Sequence, residues 1–258
     1  IVKKILKEKK IKTLLDVGCG PVSMMREIVS KNLKCYGFDL TPEMISEGKK
    51  ILRQKNKNPN NIWIGNALAV DDYKKGLSNY QSCLCFGVFP HINNKDEKKV
   101  LKNIFSILKK DGLVLIEARN SLFSLFTINR YTSEFYREEL ILNKSKIKDE
   151  SKNFSKVLKL IDKSLHLKHP KIRNSKNSLS GYDEILSKTN NPFVLKETME
   201  KVGFKNVTPY FYHYHIVPPI FKSYFPKTFV KRSLEIEDPK DWRGYFLASA
   251  FILVGEKK

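Results

Sequence analysis

Leu14-Leu15-Asp16-Val17-Gly18-Cys19-Gly20 decides how the rest of the chain is read. An apolar run stops at two glycines, and across residues 22–29 apolar side chains return at helical spacing, which predicts a strand, a tight turn and a helix in succession. Backbone N–H groups at such a turn point outward, and glycine lets a ligand come close to the main chain. Many nucleotide ligands use that geometry, so the side chains around it have to discriminate. Asp16, at the strand end, would repel a pyrophosphate and suits an ammonium group. A second carboxylate, Asp39, ends the next predicted strand about 20 residues on, where it can accept hydrogen bonds from ribose hydroxyls. Ser23 stands where the dinucleotide-binding pattern wants a third glycine, and Pro21-Val22 intervene, so the dehydrogenase fingerprint is poorly matched.

Working outward, the alternation repeats. Residues 34–38 read as a second strand, and Thr41-Pro42-Glu43-Met44 as a helix start, with Thr as N-cap and Pro at the first helical position. Strands are expected at 61–65 and 82–88, a helix striped by Val100, Leu101, Ile104, Phe105 and Leu108 at 96–108, and a fifth strand at 113–117 after Asp111-Gly112. Strands alternating with helices predict a parallel sheet covered on both faces. After Arg119 the rhythm breaks into Lys, Ser and Asn, with helical pieces at 133–142 and 153–167. A helix at 193–202 ending at Gly203, a strand at 206–215, a Pro-rich connection and a last strand at 246–254 follow. The division expected is therefore a core in two parts, 1–119 and 191–258, and an insertion, 120–190, forming a lid over the acceptor site.

The 258 residues carry a formal net charge of +21, which ordinarily points to an anionic partner. Most of that charge is Lys, accompanied by abundant Asn and Ile, and Arg is scarce, so the excess reads as compositional drift before it reads as a nucleic-acid surface. No apolar run approaches the roughly 20 residues that span a bilayer, so the chain reads as soluble and cytoplasmic. Cys19, Cys35, Cys83 and Cys85 lack zinc-site spacing and are expected to be reduced and buried; no metal is expected.

Leu15-Asp16-Val17-Gly18-Cys19-Gly20, followed by Tyr36-Gly37-Phe38-Asp39-Leu40-Thr41-Pro42-Glu43-Met44-Ile45, resembles the first two motifs of the class I S-adenosylmethionine (SAM)-dependent methyltransferases, nearest to their ubiquinone-biosynthesis-like small-molecule branch. Ile64-Gly65-Asn66-Ala67, Gly87-Val88-Phe89-Pro90-His91, Leu108-Lys109-Lys110-Asp111-Gly112-Leu113 and Val202-Gly203-Phe204 agree with it; the insertion is not covered. The resemblance implies a Rossmann-like α/β fold, a seven-stranded and mostly parallel sheet with an antiparallel last strand, and SAM across the ends of the first strands. On that resemblance Gly18 and Gly20, with Cys19 between them, lie at the methionine portion, Asp16 positions its amino group, and Asp39 holds the ribose. Leu40 and Ala67 flank the adenine, Asn66 meets its amino edge, and Phe86 and Gly87 pass near the sulfonium. Two positions depart from the pattern: Asn66 where Asp is common, and Val22 near an expected glycine, which leaves less room beside the cofactor.

Methyl transfer is an in-line displacement, so the protein mainly aligns nucleophile and methyl, and some acceptors also need a base. His91, just past the fourth strand, is the candidate base. Arg119 and Asn120, past the fifth strand, are candidates for binding an acceptor. So are Arg130 and Tyr131 in the insertion and Tyr212 and His213 on the sixth strand, where strict alternation would place Tyr210, Tyr212 and Tyr214 on one face and Phe211, His213 and His215 on the other. The helix at 153–167 has an apolar face ringed by lysines, suited to a lid or to a membrane surface or partner. The function expected is methylation of a small or medium-sized polar metabolite, with a sugar or sugar-nucleotide O- or N-methylation as first guess. RNA methylation and a non-catalytic methyltransferase-like module are the alternatives.

Overall fold

The computed structural model describes residues 1–28, 32–140, 156, 159–160, 162–165 and 188–258. It opens with α1 (Val2–Glu8), which buries Val2, Ile5 and Leu6. β1 (Thr13–Val17) follows, paired with a strand on each edge and with Leu14, Leu15 and Val17 fully buried, as expected for a central strand of a sheet covered on both faces. The next elements are α2 (Ser23–Ile28), β2 (Lys34–Asp39), α3 (Pro42–Gln54), β3 (Ile62–Ile64), β4 (Tyr80–Cys85), α4 (Asn94–Ile107) and β5 (Leu108–Arg119). Parallel ladders join β2 to β1 and β3, and β4 to β1 and β5.

The full order is β3-β2-β1-β4-β5-β7-β6, with β6 (Phe204–Tyr214) and β7 (Ala248–Lys257) supplying the antiparallel last strands. The chain thus has the Rossmann-like seven-stranded sheet expected. β1 lies centrally, so the carboxyl ends of β1, β2, β3 and β4 stand side by side, the edge at which open α/β sheets bind ligands.

Two compact units emerge: Ile1–Ala118 with Leu186–Tyr210 and Phe251–Lys258, and Arg119–Ile185 with Phe211–Ala250. In the first, α7 (Pro192–Val202) carries Pro at its first turn, an Asn191 side chain accepting from the Phe193 N–H, and Gly203 at its end with φ +124°. In the second are α5 (Ser124–Thr127), α6 (Arg130–Phe135), α8 (Pro226–Glu235) and α9 (Gly244–Leu247). The sequence expectation keeps all of 191–258 with the core.

Local differences have local causes. β4 stops at Cys85 because Gly87 turns left-handed, at φ +69°. β5 is longer than expected: Asp111-Gly112 sits inside it as an irregularity, Asp111 at φ +60°, where the register against β4 shifts. Thr41 is the N-cap of α3 by position only. Its hydroxyl makes no cap bond, and its N–H donates to Asp39. On β6 the alternation fails because His213 is left-handed, at φ +56°, so Phe211 and Tyr214, three apart, are the buried pair. α8 was read as a Pro-rich connection; Pro226 is its first residue, a position that needs no N–H. Of the helical piece at 133–142, α6 and a π-helical turn, Tyr136–Leu140, account for 133–140, and 141–142 lie outside the described residues. Most of 153–167 lies outside them too, although 156, 159–160 and 162–164 are helical.

Candidate functional site

The turn after β1 is fixed from within. The N–H groups of Gly18 and Cys19 both donate to the Phe38 carbonyl, at 2.8 and 3.0 Å, and that of Gly20 donates to Asp39 Oδ2 at 2.9 Å. None of these three donors is therefore reserved for a ligand; the glycines matter for the space they leave. Their φ angles are +72° and +49°, in the left-handed region. A Cβ on Gly18 would lie 2.2 Å from a methyl of Val88, so that glycine serves the packing of the turn against the end of β4. A Cβ on Gly20 or on Gly87 would enter open space. Cys19 is buried against Gly37, where a Cβ would lie 2.9 Å from its own, and its thiol is held protonated, first by burial and then by Asp16 and Asp39. Its side chain fills the β1–β2 layer.

Among the described residues, Asp16 is the one acid with a buried oxygen that the fold leaves unsatisfied. It is 2% exposed, and its Oδ2 has no hydrogen-bond partner. Burial, and secondarily the charge of Asp39, push its carboxyl up to about 7. A buried carboxylate without a partner is costly unless a cation or donor completes it. An ammonium group does so, and restores the ionised form.

Asp39 is anchored differently. Its oxygens accept from Gly20 and Thr41, both at 2.9 Å, which holds the carboxylate at the mouth of the turn while each oxygen keeps a lone pair for another donor. Gly65 donates its N–H to the Asp39 carbonyl at 2.9 Å, bringing Asn66 and Ala67 alongside. Asn66 is exposed; its N–H goes to Asp72 Oδ2 and its side-chain oxygen accepts from Leu68. The Ala67 carbonyl is taken by Tyr73 and Asn103. Leu40 and Ile64, 66% and 51% exposed, offer apolar surface at the ends of β2 and β3. Val22 does not crowd the turn mouth: its side chain is buried and faces Gly48 of α3. Its φ of +59° stores strain that a β-branched residue ordinarily avoids, about 1–3 kcal/mol.

Past β4, Phe86 is half-buried and the Gly87 N–H donates to Glu117 Oε2 at 2.7 Å. His91 is exposed at the end of a 3-10 turn, Phe89–His91, whose Phe89 and Pro90 are buried. That turn is pinned by residues at the far end of the expected insertion. The Lys188 N–H donates to the Pro90 carbonyl at 3.0 Å, the Lys188 ammonium pairs with Glu97 and Asn94, and Asn190 donates to Glu97. Sequence reasoning missed Glu117, Asp72 and Val88. Only Glu117 left a trace there, as a lone acid near the carboxyl end of an apolar strand.

All ten cofactor candidates and His91 thus fall in the first unit, at the ends of adjoining strands. The six acceptor candidates fall in the second. There Asn120, 2% exposed, is consumed by the fold: its amide donates to the Tyr245 and Ala248 carbonyls, both at 2.8 Å, and its oxygen accepts from Leu122. Arg119 is exposed. Arg130 lies over the Tyr131 ring, 5.0 Å from its centre, and the Tyr212 and His213 rings lie 4.7 Å apart, tilted by 57°. A cavity of about 360 Å³ is lined by Asn129, Arg130, Ser133, Glu134, Arg137 and Asp162, with Leu165 as its apolar part.

Residues 14–112 match the family model of the methyltransferase domain. The whole chain is similar in fold to a SAM-dependent methyltransferase from Archaeoglobus fulgidus, with 16% identity and a TM-score of 0.53 over 99% of this chain and 93% of that one. It is similar also to magnesium protoporphyrin IX methyltransferase from Synechocystis PCC 6803 with bound SAH, at 12% identity and a TM-score of 0.53 over 100% and 80%. The methyltransferase domain of bacterial CtHen1 gives 12% and 0.55 over 99% and 95%. No curated protein matches by sequence.

Proposed function

We propose that this chain is a class I SAM-dependent methyltransferase, and thus an enzyme, that methylates a small or medium-sized polar metabolite. Bound SAM supplies a methyl group on a cationic sulfonium; the residues of this chain hold it and align an acceptor. The buried carboxyl of Asp16, with Oδ2 unpartnered at the head of a glycine turn, carries the cofactor assignment, because an ammonium group would complete it. Asp39 accepts from the ribose hydroxyls, Leu40 and Ala67 flank the adenine, Asn66 meets its edge, and the space beside Gly20 and Gly87 admits the methionine portion and the sulfonium. His91 takes a proton from the acceptor.

A hydrophilic acceptor is favoured by the Lys-, Ser- and Asn-rich composition of residues 120–190. Arg130 and Tyr131 contribute to its binding; Asn120 does not. Screening metabolite fractions for transfer of a labelled methyl group tests this reading. A labelled small, polar product is expected, and His91→Ala is expected to lower turnover about a hundredfold without weakening SAH binding. Label entering RNA and no metabolite would contradict the acceptor class while leaving the cofactor reading in place.

A further inference from the structure

The second unit displays a stretch that its own packing uses only in part: Phe221 and Phe225 are 38% and 37% exposed, and Phe225 lies 6.4 Å from the Phe229 ring. From Phe221 to Thr228 every residue is exposed, including Phe221, Tyr224 at 80% and Phe225. α8 continues it. Its inward face is anchored, with Phe229 buried 5.7 Å from the His215 ring and the Ser233 hydroxyl accepting from the Ile216 N–H at 3.1 Å. The opposite face presents Lys227, Val230, Lys231 and Leu234 at the i, i+3, i+4 and i+7 positions, so aliphatic and cationic side chains share one outward stripe. Val230 and Leu234 are 48% and 65% exposed. Between Phe221 and Leu234 there are three lysines and an arginine and no acid, and the one carboxylate of α8, Glu235, pairs with Arg232 at 2.8 Å.

We propose that this face, from Phe221 through α8, docks the enzyme onto an anionic lipid surface. Aromatic rings with aliphatic side chains suit the headgroup and acyl boundary, and interleaved lysines suit anionic headgroups. Two other occupants fit worse. Nucleic acid rewards aromatic stacking and charge but gains little from Val230 and Leu234. A second copy of the same face would set four cations against four. Among the described residues no helix is long and apolar enough to cross a membrane. The inference is independent of the acceptor.

Flotation of the full chain with phosphatidylcholine vesicles, with and without about one-third phosphatidylglycerol, tests it. Binding is expected only with the anionic lipid, is weakened by salt, and falls about tenfold in Lys227→Glu/Lys231→Glu and comparably in Val230→Ser/Leu234→Ser. These positions are exposed, and unchanged melting and SAH binding verify that the variants fold. No flotation of the wild type at low salt overturns the proposal. So does loss in the lysine variant with full binding in the Val230/Leu234 variant, which marks a general polyanion surface displaced by RNA. Concentration-dependent dimerisation abolished by the Val230/Leu234 variant overturns it in favour of self-association.

Discussion

Asp16 in the first unit and Asn120 in the second are both polar, both 2% exposed and both just past or within a buried strand, yet one is left with an empty acceptor and the other is saturated. The contrast separates a polar group that the fold leaves open from one that it uses up. At the end of β1 the turn satisfies its own backbone through Phe38 and Asp39 and leaves Asp16 Oδ2 without a partner, a cost that a proton or an incoming donor offsets. At the end of β5 the Asn120 amide ties together the turn before α5 and the entry to β7, and nothing remains for a substrate.

The largest effect expected from this contrast is on the pH dependence of the ligand-free protein. Asp16 is raised from 3.8 to about 7, so between those values the folded state holds a proton that the unfolded state has released. Stability is therefore unaffected below that window, falls as pH rises through it, and carries the full cost above pH 7, on the order of 4 kcal/mol. Melting temperatures measured from pH 4 to 8 should decline in the wild type, stay nearly flat in Asp16→Asn, and decline less with saturating SAH. A wild-type profile as flat as the variant's would mean that Asp16 is solvated.

Asn120→Ala sharpens the other side. Losing the buried bonds should cost about 3 kcal/mol in denaturant-measured stability, with the SAH affinity of the folded protein unchanged. Loss of affinity at intact stability would instead place Asn120 in a binding site.

The two glycines of the turn divide the contrast within three residues. Gly18→Ala drives a methyl into Val88 and should destabilise the fold, whereas Gly20→Ala fills open space, costs only about 1–2 kcal/mol of left-handed strain, and should weaken SAH at least tenfold. Equal behaviour of the two would remove the distinction between packing and ligand-facing glycines. Smallest is Asp39→Ala, expected to weaken SAH about tenfold, with a melting shift of a few degrees from the lost Gly20 and Thr41 bonds.

The same contrast explains what was legible in the sequence. β1, the glycine turn, Asp16 and Asp39 are local: periodicity, turn chemistry and a carboxylate at a strand end lie within a few residues of one another, and the fold followed from their repetition. Asn120, the Glu117 contact with Gly87, and the anchoring of the His91 turn by Lys188 and Asn190 depend on partners about 30 to more than 120 residues away, which no spacing rule encodes. His213 misled for a related reason. Its left-handed backbone converts a period of two into a gap of three, and a histidine between tyrosines carries no signal of that.

Calorimetric titration of SAH into the wild type and Asp16→Asn, at pH 6 and repeated in buffers of different ionisation enthalpy, tests the central claim most directly. The account predicts binding to the wild type with release of close to one proton, and binding to the variant at least a hundredfold weaker, about 3 kcal/mol, with no proton released. Equal affinities for the two proteins, or no binding to the wild type, would contradict it.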